Sequence, residues 1–249
     1  MPEGHLQIST SADITNTSGA LRDSIDALVE MDGGSRMSRE DLDLAADAAS
    51  AALIQPPSIG YQVSVAYGLT REIELGVRSS LSAVRGWARY QFLRASPGWY
   101  GAVGFGVAGY LYAFPIHELV DEVSVRDYDR WDVDIPLSFG FSSRAFHVWA
   151  GPKLMLSDVS GTVEVCVDQA SGRCTSQADV TLDGFASYVA GQVGLAVGWT
   201  NFFIAAELTV ARVEAESTVT VTHGSRTESA TFSPDGVALS PAVGFILWI

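Results

Sequence analysis

From Ile59 to the C-terminus, large and small side chains sort by odd and even position. The clearest case is the uncharged run from Trp99 to His117. Trp99, Val103, Phe105, Val107 and Leu111 share one parity, and Ala102, Gly104, Gly106 and Ala108 share the other. The length of that run would suit a membrane helix. A helix does not sort bulk at period two, whereas a strand does, because successive Cβ atoms point to opposite faces. The same sorting recurs at Ile59, Tyr61, Val63, Val65 and Tyr67, at Ile73, Leu75 and Val77, at Trp131 through Phe141, and at Phe146 through Leu156. Repetition over this many segments identifies a β protein.

Ten strands are expected: His5–Asp13, Ser58–Tyr67, Ile73–Ser80, Val84–Leu93, Trp99–Phe114, Arg130–Phe141, Phe146–Ser157, Phe185–Trp199, Asn201–Glu214 and Val237–Ile249. Their connections alternate in length. Short turns fall at Gly68–Arg71, Ala95–Gly98, Ser142–Arg144 and Thr200, and longer polar loops are expected at 115–129, 158–183 and 215–235, with Leu81–Val84 a short exception. Short turns on one rim and long loops on the other are the layout of a transmembrane barrel. The fold class is therefore all-β: a closed antiparallel transmembrane β-barrel of about ten strands, a single domain over 1–249. An even strand number puts both termini on the short-turn rim. Residues 14–57 differ. Leu21, Ile25, Leu28 and Val29 have helical spacing, Ser38 with Asp41 resembles a capping box, and Pro56-Pro57 ends the segment. They read as a short α-helical insert between strands one and two, covering the outer mouth or entering the lumen.

Charge separates a membrane barrel from a soluble one. Glu74, Arg78, Arg85, Arg89, Asp132, Asp134, Lys153 and Glu207 all fall on the face opposite the bulky apolar residues. Facing lipid at mid-depth, a basic residue would cost roughly 2–4 kcal/mol. Facing a narrow lumen, these groups form an ion-pair network, and ten strands leave little room beyond their own side chains. The leading expectation is a lumen closed by those pairs, and the alternative is a narrow channel. Tyr67, Phe92, Trp99, Phe141, Phe146, Trp199 and Phe202 gather beside the short turns, as an interfacial aromatic girdle does.

The formal net charge of −14 excludes duplex nucleic acid as a partner. Cys166 and Cys174 flank a polar, turn-rich stretch, and a disulfide closing the 158–183 loop in an oxidising compartment is expected. Met1-Pro2-Glu3-Gly4 lacks the basic and apolar regions of a signal peptide, so the chain reads as a mature form. None of the four histidines shows metal-ligand spacing, and no cofactor is implied. His223-Gly224-Ser225 reads as a hairpin turn.

The chain ends Val243-Gly244-Phe245-Ile246-Leu247-Trp248-Ile249. This resembles the C-terminal assembly signal of the outer-membrane β-barrel family, with the aromatic at Trp248 and Ile249 last. The resemblance implies residence in the outer membrane of a Gram-negative bacterium, contact with its lipids, and recognition by the barrel-assembly machinery through the C-terminal strand. Within that class, omptin-type surface proteases would place acidic residues and a histidine at the outer rim, which His117 with Asp121 or Asp132 mimics without matching a motif. No catalytic constellation is recognisable. The expected function is non-enzymatic, a structural or surface-interaction role, with an omptin-type hydrolase or a narrow channel as alternatives.

Overall fold

The computed structural model describes residues 3–19, 58–80, 82–111, 123–170, 173–224, 226–233 and 235–249. Eleven strands follow one another: β1 Leu6–Gly19, β2 Ser58–Gly68, β3 Ile73–Ser80, β4 Ala83–Ala95, β5 Trp99–Tyr110, β6 Val123–Ser142, β7 Phe146–Ala170, β8 Arg173–Trp199, β9 Phe202–His223, β10 Arg226–Phe232 and β11 Asp235–Trp248. Each of β1 to β9 pairs antiparallel with its neighbour in sequence. β9 then pairs with β11, and β11 with β1, which closes the ring. β10 pairs only with the upper half of β9 and lies in line with β11 across a break at 233–234. The barrel thus has ten staves, the tenth interrupted. Among the described residues every strand of the ring except β10 is paired on both sides, as a bilayer, which cannot hydrate a free edge, requires.

The short-turn rim is built as its sequence suggests. The Leu69 amide donates to the Ile73 carbonyl at 2.9 Å, the Gly98 amide to Ala95 at 3.0 Å, and the Ser143 amide to Phe146 at 2.9 Å. Thr200 adopts φ 55°, the left-handed conformation that the tightest of these turns requires. Both described chain ends lie on this rim, where the Leu6 amide donates to the Ile249 carbonyl at 3.0 Å.

The opposite end departs from expectation. Stretch 158–183, expected as a loop, forms the upper halves of β7 and β8, paired from Asp158↔Phe185 to Ala170↔Arg173. Stretch 215–235 similarly completes β9 and forms β10, with the tip at Gly224, φ 61°. Strand β1 also runs on to Gly19, so residues 14–19 are strand and not helix. The remainder of the expected helical insert, 20–57, lies outside the described residues, as does 112–122 with His117 and Asp121.

The cause of these extensions is an inversion of the side-chain pattern. Up to Leu156 on β7, Phe185 on β8 and Val210 on β9, outward residues are apolar and exposed. Beyond that level the outward positions are Asp158, Ser160, Asp183, Arg212, Glu214, Glu216 and Thr218. The inward positions become Val159, Leu182 and Val219, each 2% exposed or less, joined by Tyr128, Val180, Val221 and Phe232. Below the level the sheet is dressed for lipid, and above it for water.

β7 spans 25 residues. A membrane-spanning strand uses about 9–11, and the apolar outward band of β7 runs from Phe146 to Leu156. The remaining residues carry the β6–β10 wall beyond the membrane as a β-tower.

Candidate functional site

The inward face below the tower is filled in layers. At the short-turn end, His147, Phe203 and Trp248 form an aromatic floor. Their ring centroids lie 4.6 Å (His147–Phe203), 5.0 Å (His147–Trp248) and 4.9 Å (Phe203–Trp248) apart. These residues come from β7, β9 and β11, and Trp248 Nε1 donates to Gln7 Oε1 of β1 at 3.1 Å.

Above the floor lie the charges that the strand parity assigns to the lumen. Arg89 Nη2 meets Glu74 Oε2 at 2.7 Å, and Arg85 Nη2 meets Asp134 Oδ2 at 2.5 Å. Glu207 Oε2 accepts from Trp149 Nε1 at 2.8 Å. Arg78 stacks over the Trp87 ring at 5.8 Å. Lys153 stands within electrostatic reach of Arg85, Asp134, Glu207 and Arg78. These charges fall into separate groups. The Glu74–Arg89 pair and the Arg85–Asp134 pair are salt-bridged, while Glu207 binds an indole.

Two tryptophans fit among these charges because a glycine faces each. Trp87 pairs across strands with Gly76 and Trp149 with Gly194. A Cβ on Gly76 would fall 2.2 Å from Trp87, and one on Gly194 2.1 Å from Trp149. Each ring lies over the glycine of the neighbouring strand on the inward face.

Asp132 belongs to a different layer, at the level where the pattern inverts. Its Oδ1 accepts from Arg130 Nε at 3.0 Å and from Ser157 Oγ at 2.6 Å, and its Oδ2 accepts from Tyr110 Oη at 2.9 Å. Arg130 also stacks over Tyr110 at 4.8 Å, and both Arg130 and Asp132 are buried. Tyr188 and Met155 continue this layer into a cluster of buried small residues, Ala186, Ala190, Ala211, Val213, Ala215 and Ala238. Arg130, Tyr110 and Ser157 carry no lumen assignment from sequence alone. Arg130 stands at the first position of its expected strand and Tyr110 in an uncharged run.

The aromatic residues near the short turns fall into three separate contact groups. Trp99 and Phe141 lie 5.5 Å apart, Phe141 and Phe146 5.6 Å, and Trp199 and Phe202 6.1 Å. Phe92 and Phe202 reach further outward-facing rings, Phe139 at 5.9 Å and Phe245 at 5.8 Å. Tyr67 is exposed on the same rim. Cys166 and Cys174 sit on the tower hairpin opposite Gln177 and Gln169, and their side chains lie outside the described residues. Among the described residues no three His, Cys, Asp or Glu side chains converge as a metal-ligand set.

No known family model matches the sequence, and no curated protein matches it. Solved structures resemble it in shape. A major outer membrane protein from Thermus thermophilus is 11% identical, with 98% of this chain and 99% of that chain covered and a TM-score of 0.43. Ail, the attachment invasion locus protein of Yersinia pestis, is 10% identical over 99% of each chain, TM-score 0.32. Neisserial surface protein A is 10% identical, covering 98% of this chain and 95% of that one, TM-score 0.32.

The chain's own geometry carries the assignment. Val63, Val77, Phe105, Ile135, Val193, Ile204 and Phe245 present an exposed apolar band around the ring, which in water would be an aggregation surface far beyond what a soluble protein tolerates. A closed ring of strands, an exposed apolar outer band and charges turned inward together are the geometry of a transmembrane β-barrel.

Proposed function

We propose that the barrel is a non-enzymatic surface-interaction protein whose lumen is closed by its own side chains and whose partners meet the β-tower. The observation that carries this reading is the extension of β7, β8 and β9 beyond the apolar band with a water-facing exterior and an apolar interior. A barrel needed only to span a membrane has no use for such strands, and ordering them costs backbone entropy. The aromatic floor, the Trp87 and Trp149 rings and the Arg130–Asp132 layer support closure of the lumen. The outward tower face carries Asp158, Asp183 and Glu216, besides a Glu214 carboxylate already paired with Arg212 at 2.9 Å, so the favoured partner presents a basic surface to the first three. The C-terminal strand β11, apolar outward at Val243, Phe245 and Leu247, is the segment we assign to recognition during barrel assembly.

Shortening the β7–β8 hairpin by removing residues 160–181 tests this. The shortened barrel is expected to keep its heat-sensitive migration on a denaturing gel while cells displaying it lose salt-sensitive adhesion to basic protein surfaces. Retained adhesion would refute the tower as the interaction element. Planar-bilayer recording of the intact barrel is expected to be silent, and steady conductance would refute closure.

A further inference from the structure

Above the apolar band the sheet no longer closes. β5 last meets β6 at Gly109↔Trp131, so among the described residues Val123–Asp129 of β6 is paired on its β7 side alone. β10 is paired on its β9 side alone. The described tower therefore ends in two strand edges, each a template for a further strand.

The two edges are built differently. On β6 the register slips between Val125 and Asp127, and Arg126, Asp127 and Asp129 crowd the same stretch, with Arg126 salt-bridged to Glu164. A bulge and charges keep foreign strands off an edge. β10 instead pairs with β9 in unbroken register from Arg226 to Phe232, and Glu228 is the only charged residue between Thr227 and Phe232. Thr227, Ser229 and Thr231 stand exposed opposite Thr222, Thr220 and Thr218 of β9. Hydroxyls join the two strands, Ser229 to Thr220 at 3.0 Å and Thr227 to Thr222 at 3.3 Å. Above Glu216 these outward positions of β9 and β10 carry no charge, unlike Asp158, Asp179 and Asp183 on β7 and β8.

The exposed series Thr-x-Ser-x-Thr reads the same in both directions. Laid antiparallel on a second β10 with Ser229 at the two-fold axis, Thr227 meets Thr231 of the other copy and the hydroxyl ladder continues. Glu228 then falls opposite Ala230, so no like charges are direct partners. The axis of such a pairing is perpendicular to the sheet. A barrel wall stands along the membrane normal, so the axis lies in the membrane plane and the second copy is inverted. Height permits this. Ser229 faces Thr220, ten residues beyond Val210, which at about 3.3 Å per residue and a strand tilt of roughly 40° is about 25 Å above the band. Two towers joined there hold their membranes roughly 50 Å apart, more than the height of about 35 Å that either tower reaches.

We propose that β10 is a homophilic docking edge, which pairs antiparallel with β10 of a second copy of this chain standing in a facing membrane. This rests on the reading of the tower as the interaction element, and it adds a partner that is met through an uncharged strip.

The test uses the full chain displayed on cells, with Cys166 and Cys174 changed to serine. One population carries T227C and another T231C. Mixed and oxidised with copper phenanthroline, they should give a disulfide-linked band at twice the chain mass, and neither population alone should give it. Adding S229E to both places like charges on the axis and should lower the trapped fraction about fivefold. Adding S229E to one population and S229K to the other should restore it. Heat-sensitive migration of each variant confirms a folded barrel. Raised salt should leave the band intact while adhesion to basic surfaces falls, so losing one without the other separates this proposal from the reading beneath it. No band from the mixture would overturn the proposal. T227C trapping itself, the mark of a parallel register, would overturn it too, as would trapping seen only when both variants share one cell.

Discussion

At the scale of single residues, the Asp132 carboxylate joins three strands, accepting from Arg130, Tyr110 and Ser157. Removing it takes the salt-bridging carboxylate from the buried Arg130 guanidinium. Asp132→Ala is expected to destabilise the barrel by about 3–5 kcal/mol, measured as a lowered urea midpoint for refolding into lipid vesicles. Ser157→Ala removes one bond to the carboxylate and should cost roughly 1.5–3 kcal/mol. A test of the glycine–indole pairs is equally specific. Gly194→Ala places a methyl 2.1 Å from the Trp149 ring, so the ring must leave Glu207. The variant should be destabilised on its own and largely restored by a second change, Trp149→Leu, in the same urea measurement. The charges themselves are legible in sequence, because parity alone separates Glu74, Arg78, Arg85, Arg89, Asp134 and Lys153 from lipid. Their grouping is not, because pairing depends on register. Gly76 facing Trp87 and Gly194 facing Trp149 become signals only when the strands are aligned. Arg130 escapes a sequence reading because the strand it belongs to begins at Val123, seven residues before the expected start.

At the scale of elements, the strands within the membrane band are readable and the tower strands are not. The reason is the phase shift. On β9 the apolar residues occupy even positions at Ile204, Leu208 and Val210, then odd positions at Val213, Val219 and Val221. On β8 they pass from Phe185 and Val189 to Leu182 and Val180. Polar residues at formerly apolar positions look like a loop if the phase is held fixed. They look like a continuing strand if the solvent outside the sheet changes from lipid to water. The inversion predicts opposite responses from two outward positions. Val193→Arg lies mid-band and should cost roughly 2–4 kcal/mol, whereas Thr218→Arg lies on the tower and should change stability little. In the tower interior, Leu182→Ala should cost about 2–5 kcal/mol of local stability. It should appear as faster proteolysis of the β7–β8 hairpin with the barrel itself intact.

At the scale of the whole molecule, one sheet meets two solvents. Closure of the ring satisfies the backbone inside the bilayer. Inside the ring the inward side chains stand in layers, and above the apolar band the outward face of β7, β8 and β9 turns polar. Sequence pattern establishes the ring and its orientation, because both termini and four tight turns fall on one rim. It does not establish the height of the molecule, since that depends on where the pattern inverts. The central claim is that this inversion marks the outer face of the membrane, and labelling along β9 tests it most directly. Single cysteines would replace Ile204, Leu208, Val210, Glu216 or Thr218 in a chain whose Cys166 and Cys174 are serine. Intact cells would then be exposed to a membrane-impermeant maleimide. All five positions face outward and are exposed, so accessibility reports only the surrounding medium. The account predicts no labelling at 204, 208 and 210 and strong labelling at 216 and 218. Labelling at all five positions, or at none, would contradict it.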